Sequence, residues 1–208
     1  MTALQAYRDD GPLAGWIGKR ARGAVPVDEL LLTVIAAIPL AAVLATAEDR
    51  APTYAIGAAV LIFVLIAGSA CNSEARPLVW AVPPLLRAVE YSFLVALTAL
   101  SDPDAMPFCF AFLGVLALHH YDTVYRLRHQ HVAPPAWVGT AGGGWEGRMI
   151  AASILAATDF LGAGLVVVAA TLALVYGLES TTSWLRFGRE RHAAPDEAVG
   201  EGEDVLAE

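Results

Sequence analysis

Residues 78–100 read "LVWAVPPLLRAVEYSFLVALTAL". The stretch is apolar for the roughly 20 residues that a membrane-crossing helix needs. Yet it carries Arg87 and Glu90 near its middle. They lie one helical turn apart, so on a helix they share a face and can pair. Pro83, Arg87, Glu90, Tyr91 and Leu94 follow the i, i+4, i+7, i+8 spacing of a single helical face. The fold must therefore hold a charged face inside an apolar element.

The neighbouring sequence repeats the apolar half of that pattern. Upstream lie residues 28–47, "DELLLTVIAAIPLAAVLATA", and 53–70, "TYAIGAAVLIFVLIAGSA", separated by the polar turn "EDRAP". Downstream, "SDPD" at 101–104 has turn chemistry, and a fourth apolar run covers 105–127. A last block, 148–185, is too long for one span and divides best at "FLGAG", 160–164. That gives a short fifth helix and a longer sixth. Hydrophobic residues make up 57% and charged residues 16% of the chain, against about 45–50% and 25% in ordinary soluble domains. The expected fold is all-α: a polytopic integral membrane protein with about six transmembrane helices.

Orientation follows from the basic residues. With the N-terminus in the cytoplasm, only Arg50 of the 13 Lys and Arg residues falls outside, and Arg87 falls within a span. Both termini are then cytoplasmic, in a bacterial inner membrane. The expected organisation is a cytoplasmic or interfacial segment over 1–26 and a six-helix domain over 27–186. A cytoplasmic loop at 128–147 belongs to that domain, and an acidic, disordered tail follows over 187–208. The net charge of −8 owes six of its units to acids after Arg191. No basic patch interleaved with aromatics suggests nucleic acid. The N-terminal stretch lacks the compact apolar core of a signal peptide. Cys71 and Cys109 have no metal-ligand spacing and predict no disulfide.

Ionisable groups within apolar spans are costly and usually face protein or water. "HHYDTVYRLR", 119–128, closes the fourth run. His119, Asp122, Thr123 and Arg126 occupy one face there, while His120, Tyr121 and Tyr125 point elsewhere. His119 with Asp122 makes an oriented imidazole, and imidazole and carboxylate can both ligate metal. The fifth helix opens on "GGGWEGRM", with Glu146 and Arg148 at its mouth; Gly142 to Gly144 allow close backbone approach. In the sixth helix Tyr176, Glu179, Ser180 and Ser183 share a face. These groups converge on the cytoplasmic leaflet. The candidate catalytic residues are His119, Asp122 and Glu90, with Glu90 and Asp122 also as ligands of a divalent metal such as Mg. The candidate phosphate ligands are Arg87, Arg148 and Arg126, since guanidinium suits phosphate. Asp10, Tyr91, Glu146 and Glu179 would line the site.

"YRDDGPLAGW" (7–16), "VPPLLRAVEY" (82–91), "LALHHYDTVYRLR" (116–128), "VAPPAWVG" (132–139) and "GWEGRM" (144–149) together resemble a bacterial membrane domain of unknown function found mainly in actinobacteria. That domain often lies at the C-terminus of proteins carrying nucleotidyltransferase and CDP-alcohol phosphotransferase domains. The resemblance implies work on phospholipid or glycopolymer precursors, with membrane lipids and a phosphotransferase or nucleotidyltransferase as partners. The phosphotransferase signature itself is matched only at Asp10, Gly11, Ala14 and Gly23. Gly15 stands where Arg is expected, Asp28 is one residue out of register, and Leu32 replaces a final Asp. Two main functions compete: an enzyme acting on a phosphate-bearing lipid or its precursor, and a non-catalytic module that docks or stabilises such an enzyme. A small transporter ranks behind both, since no inverted repeat is visible.

Overall fold

The computed structural model describes residues 7–21, 28–47, 53–70 and 78–193. The described secondary structure is helical throughout, with no strand among these residues. The expected turn at 48–52, Cys71 and the acidic tail from 194 onward lie outside them.

The helices are α1 (Pro12–Ala21), α2 (Glu29–Ala45), α3 (Thr53–Ser69), α4 (Val82–Ser101), α5 (Met106–His129), α6 (Ala136–Ala141), α7 (Gly144–Ala157) and α8 (Leu161–Ala193). Their ends follow from local chemistry. Asp28 caps α2 by accepting hydrogen bonds from the Leu30 and Leu31 amides, the donors that a helix start leaves free. Prolines stand in the first turns of α4 and α5, where a missing N–H costs nothing. In the "SDPD" stretch Ser101 ends α4, Asp102 caps it, and Pro103 opens the short 3₁₀ segment Pro103–Ala105. The long last block divides at Thr158–Phe160, just ahead of the expected 160–164, whose Leu161–Gly164 open α8. α8 then runs past residue 186 to Ala193.

α2 packs on α3, α5 on α8, and α4 on α7, while α1 lies across α3 and α7. α1 is seated by Ala14 and Ile17, which pack on Gly68 of α3. The centre is filled by Phe63, Phe93, Phe112, Leu116, Trp145 and Met149, all almost fully buried. Phe63 and Trp145 meet edge-on at 5.3 Å, the favoured aromatic geometry.

Six spans are not what helix length and composition support. Val79–Ser101 and Leu161–Arg189 are long and apolar enough to cross a membrane. α2 and α3 are apolar but have 17 residues each, at the short limit for a span. α7 has 14 residues, about 21 Å at 1.5 Å per residue, which is short of the hydrocarbon core. α5 is long enough, but its last three turns carry His119, His120, Asp122, Arg126 and Arg128.

Charge is buried beside the apolar core. Arg8, Glu29, Glu90, Arg126, Glu146 and Arg148 are each no more than 5% exposed. Large apolar side chains also face outward, including Ile38, Leu65, Phe110, Ile154, Val167 and Leu174. Buried charge and exposed apolar surface are the two informative departures from ordinary globular burial.

Candidate functional site

The centre of the charged interior is Arg148, in the second turn of α7. Its Nε donates to Glu90 Oε1 at 2.5 Å, and its Nη2 donates to Asp9 Oδ2 at 2.8 Å and Glu90 Oε2 at 3.2 Å. Arg87, one turn before Glu90 on α4, donates to Glu90 Oε2 at 3.3 Å. Its other terminal nitrogen donates to the carbonyls of Tyr7 and Arg8 at 3.1 and 2.9 Å. The Arg87–Glu90 pair expected from spacing therefore forms. The pair alone would leave Arg148 without a balancing charge, and Asp9 supplies it.

Asp9 reaches the interior because the chain before α1 is threaded against α7. The Trp145 amide donates to the Asp9 carbonyl, and Asp9 itself takes a left-handed conformation, φ 51°. The Glu146 carboxylate accepts from the Gly11 and Ala14 amides, each at 3.0 Å. It thus caps α1 from another helix and satisfies donors that the helix start would otherwise leave bare. A side chain on Gly11 would strike the Gly143 carbonyl, and one on Gly144 would strike Gly11. Gly144 also sits at φ 64°. The glycine run therefore lets two backbones touch; its close-approach partner is the N-terminal segment. Asp10 is held in the same joint by Trp145 Nε1 at 2.8 Å and Arg8 Nε at 2.7 Å. Arg8 also meets Glu29 at 3.4 Å.

The two histidines part company, because neighbouring residues on a helix diverge by about 100°. His120 faces α4: its Nδ1 meets the Tyr91 hydroxyl at 2.9 Å and its Nε2 meets Asp9 Oδ2 at 3.2 Å. His119 faces α8 and stacks on Tyr176, with ring centroids 3.8 Å apart. Asp122 also faces α8. Arg126 joins Asp122 at 2.9 Å and forks onto Glu179 at 2.9 and 2.6 Å; Trp184 Nε1 donates to Asp122 at 2.9 Å.

The expected site residues thus fall into two ion clusters. Arg87, Glu90, Tyr91 and Arg148 belong to the one centred on Asp9, and Asp122, Arg126 and Glu179 to the other. His119 and Asp122 make no hydrogen bond with each other, since Asp122 is engaged by Arg126 and Trp184. Glu90 and Asp122 share no partner. Among the described residues, no three His, Cys, Asp or Glu side chains could hold a metal ion together. Arg126, expected as a phosphate ligand, is 1% exposed and engaged by Glu179 and Asp122. Asp9, His120, Arg8, Glu29 and Trp184 were absent from the sequence-derived site. Charge parity was the available signal for Asp9: two buried arginines near one glutamate require another acid.

Burial alone would raise the Asp9 carboxyl. Arg148, the His120 hydrogen bond and Arg87 outweigh it and hold that carboxyl far below the usual carboxylate range. The lowered folded value stabilises the protein above the unfolded carboxylate pKa of about 4, and that contribution drains away as pH falls further. Unfolding curves between pH 6 and pH 3 check this. Asp9→Asn should cost about 1–3 kcal/mol at pH 6 and flatten the acid-side loss of stability. Parallel curves for the two proteins would refute the assignment.

Beside the first cluster lies a cleft of about 540 Å³ between α1 and the segment 134–140. Asp9, Asp10, Trp16, Lys19, His119 and Thr140 are among its walls. Lys19 is exposed, and the Arg20 guanidinium stands 4.2 Å over the Trp16 ring. The volume is ordinary for a small-ligand site. No curated protein and no solved structure matches this chain. A family model does match, across residues 1–203, and the chain belongs to that family of unknown function, DUF5941.

Proposed function

We propose that this protein is embedded in the bacterial inner membrane and binds a phosphate-bearing headgroup, of a phospholipid or glycopolymer precursor, in the cleft beside α1. The membrane part of the reading is supported by the many large apolar side chains on the surface and by the two helices of spanning length. The observation that carries the ligand class is the cleft itself. Lys19 offers an exposed ammonium at its edge, Trp16 an aromatic ring, and Thr140 a hydroxyl. Lysine is a point-charge partner for phosphate. The buried arginines play a different part, because Glu90, Asp9 and Glu179 already engage them. A divalent cation such as magnesium enters this reading as a companion of the ligand's phosphates, since Glu90 and Asp122 lie in separate clusters. With the basic residues near α1 and the end of α8 facing the cytoplasm, the cleft opens on the side where activated precursors are made.

Titrating CDP-diacylglycerol into detergent-purified protein tests the reading through the fluorescence of Trp16, with Trp16→Phe as the control. Saturable quenching is expected, and Lys19→Ala should weaken it about tenfold, the equivalent of one charge-assisted contact of about 1.5 kcal/mol. Quenching that never saturates, or that ignores Lys19, would remove the ligand assignment.

A second reading is favoured by a separate observation: the deeply buried carboxylates are neutralised within the protein, which suits a rigid docking module more than a catalyst. In that case the partner is a CDP-alcohol phosphotransferase or nucleotidyltransferase. Co-expression should then raise the partner's membrane-bound activity even when the protein carries Lys19→Ala.

A further inference from the structure

We infer that a second cleft, between the C-terminal half of α8 and the chain following α5, is a specific site for one anionic membrane lipid. It has a volume of about 630 Å³. Pro135 borders both clefts, so the connection between α5 and α6 separates them. The inference rests on the membrane embedding proposed above and is independent of the headgroup cleft.

The cleft is graded along one face of α8. Val175, Leu178, Thr182, Ser183 and Arg186 line it at i, i+3, i+7, i+8 and i+11, a single helical stripe. Its first residues are apolar, its next hydroxylic and its last cationic. Val132 and Trp137 extend the apolar wall from the opposite side. An amphiphile lying along this stripe would place its chain on Leu178 and its head at Arg186.

The polar end has donors to spare and one exposed cation, Arg186. The terminal nitrogens of Arg126 are committed to Glu179, yet among the described residues its buried Nε has no acceptor, and neither has the buried Nε2 of Gln130. Both residues line the cleft. Buried donors without partners are uncommon and ask for an explanation. Arg186 makes no ion pair with a described residue. Arg126 is already balanced by Glu179 and Asp122, so the cation the cleft offers a head group is Arg186. That cation selects an anionic head over a zwitterionic one, which would bring its own cation against Arg186. The apolar wall selects a lipid over a free phosphate.

Native mass spectrometry of delipidated protein, titrated with equal amounts of dioleoyl phosphatidylglycerol and dioleoyl phosphatidylcholine, tests this. The first phosphatidylglycerol adduct should exceed the phosphatidylcholine adduct several-fold. Arg186→Glu should abolish that preference, and Leu178→Trp should cut the first adduct at least fivefold by filling the apolar end. Both side chains are exposed, so neither change disturbs the core. Excess glycerol 3-phosphate should leave the adduct in place. Equal binding of the two lipids, or a preference that survives Arg186→Glu, overturns the inference. Displacement by glycerol 3-phosphate overturns it in favour of a soluble-anion site. Failure of the membrane reading looks different: the protein stays in solution without detergent and retains neither lipid.

Discussion

Arg148→Met should leave little folded protein. Arg148 is 3% exposed and engages Glu90 through two nitrogens, Asp9 through one of them, and the Gly142 carbonyl through a third. Without it, two buried carboxylates share Arg87 alone, whose guanidinium is more exposed and lies 3.8 Å from Asp9. Stripping one partner from a buried ion pair costs about 3–5 kcal/mol, a large part of the roughly 5–15 kcal/mol that holds a domain together. Thermal unfolding in detergent, with membrane-fraction yield beside it, measures the loss. Arg148→Lys should fall between wild type and Met, because an ammonium on a flexible stem cannot reproduce the planar fork. Arg148→Met combined with Glu90→Gln should recover much of the loss, since Arg87 and Asp9 then balance. A double variant no better than the single one would mean that Arg148 acts through packing rather than charge.

Part of this network is legible in the sequence, and the gaps have physical causes. Helical periodicity finds partners on the same helix, so the Arg87–Glu90 pair was visible. The α7–α8 division is legible to within a few residues because the block is too long for one span, although Gly162 and Gly164, where the sequence centres it, lie inside α8. Periodicity also separates helix faces, and it put His119 and His120 on different ones. It cannot say which neighbour each face meets. His119 and Asp122 share a face but meet Tyr176 and Arg126, while His120 turns to Tyr91 and Asp9. Contacts from Asp9 to Arg148 or from Gly11 to Glu146 join residues more than a hundred positions apart. Only the packing of the N-terminal segment on α7 creates them. Span number is less legible for a related reason. Apolar composition does not separate a helix facing lipid from one facing protein, and the 14-residue α7 buries Trp145, Arg148, Met149 and Ala152 while Ile154 faces outward.

The second cluster should respond to charge removal in a way that separates structure from function. Arg126→Met leaves Glu179 buried without its forked partner and strips Asp122, 18% exposed, of its cation; the expected loss is about 3–5 kcal/mol. Glu179→Leu alone should cost less, because Asp122 remains within 2.9 Å of Arg126. Removing both, as Arg126→Met with Glu179→Leu, exchanges a buried ion pair for apolar contact, which is often neutral or stabilising. The double variant should therefore unfold within about 1 kcal/mol of wild type, with Asp122 still held by Trp184. A double variant as unstable as Arg126→Met would show that the pair cannot be replaced by packing. With stability restored, any remaining defect belongs to ligand binding. The double variant keeps Arg186 but lacks the Arg126 Nε donor, so its phosphatidylglycerol preference should persist in weakened form. Full loss of that preference at unchanged stability would move the anion's main contact from Arg186 to Arg126.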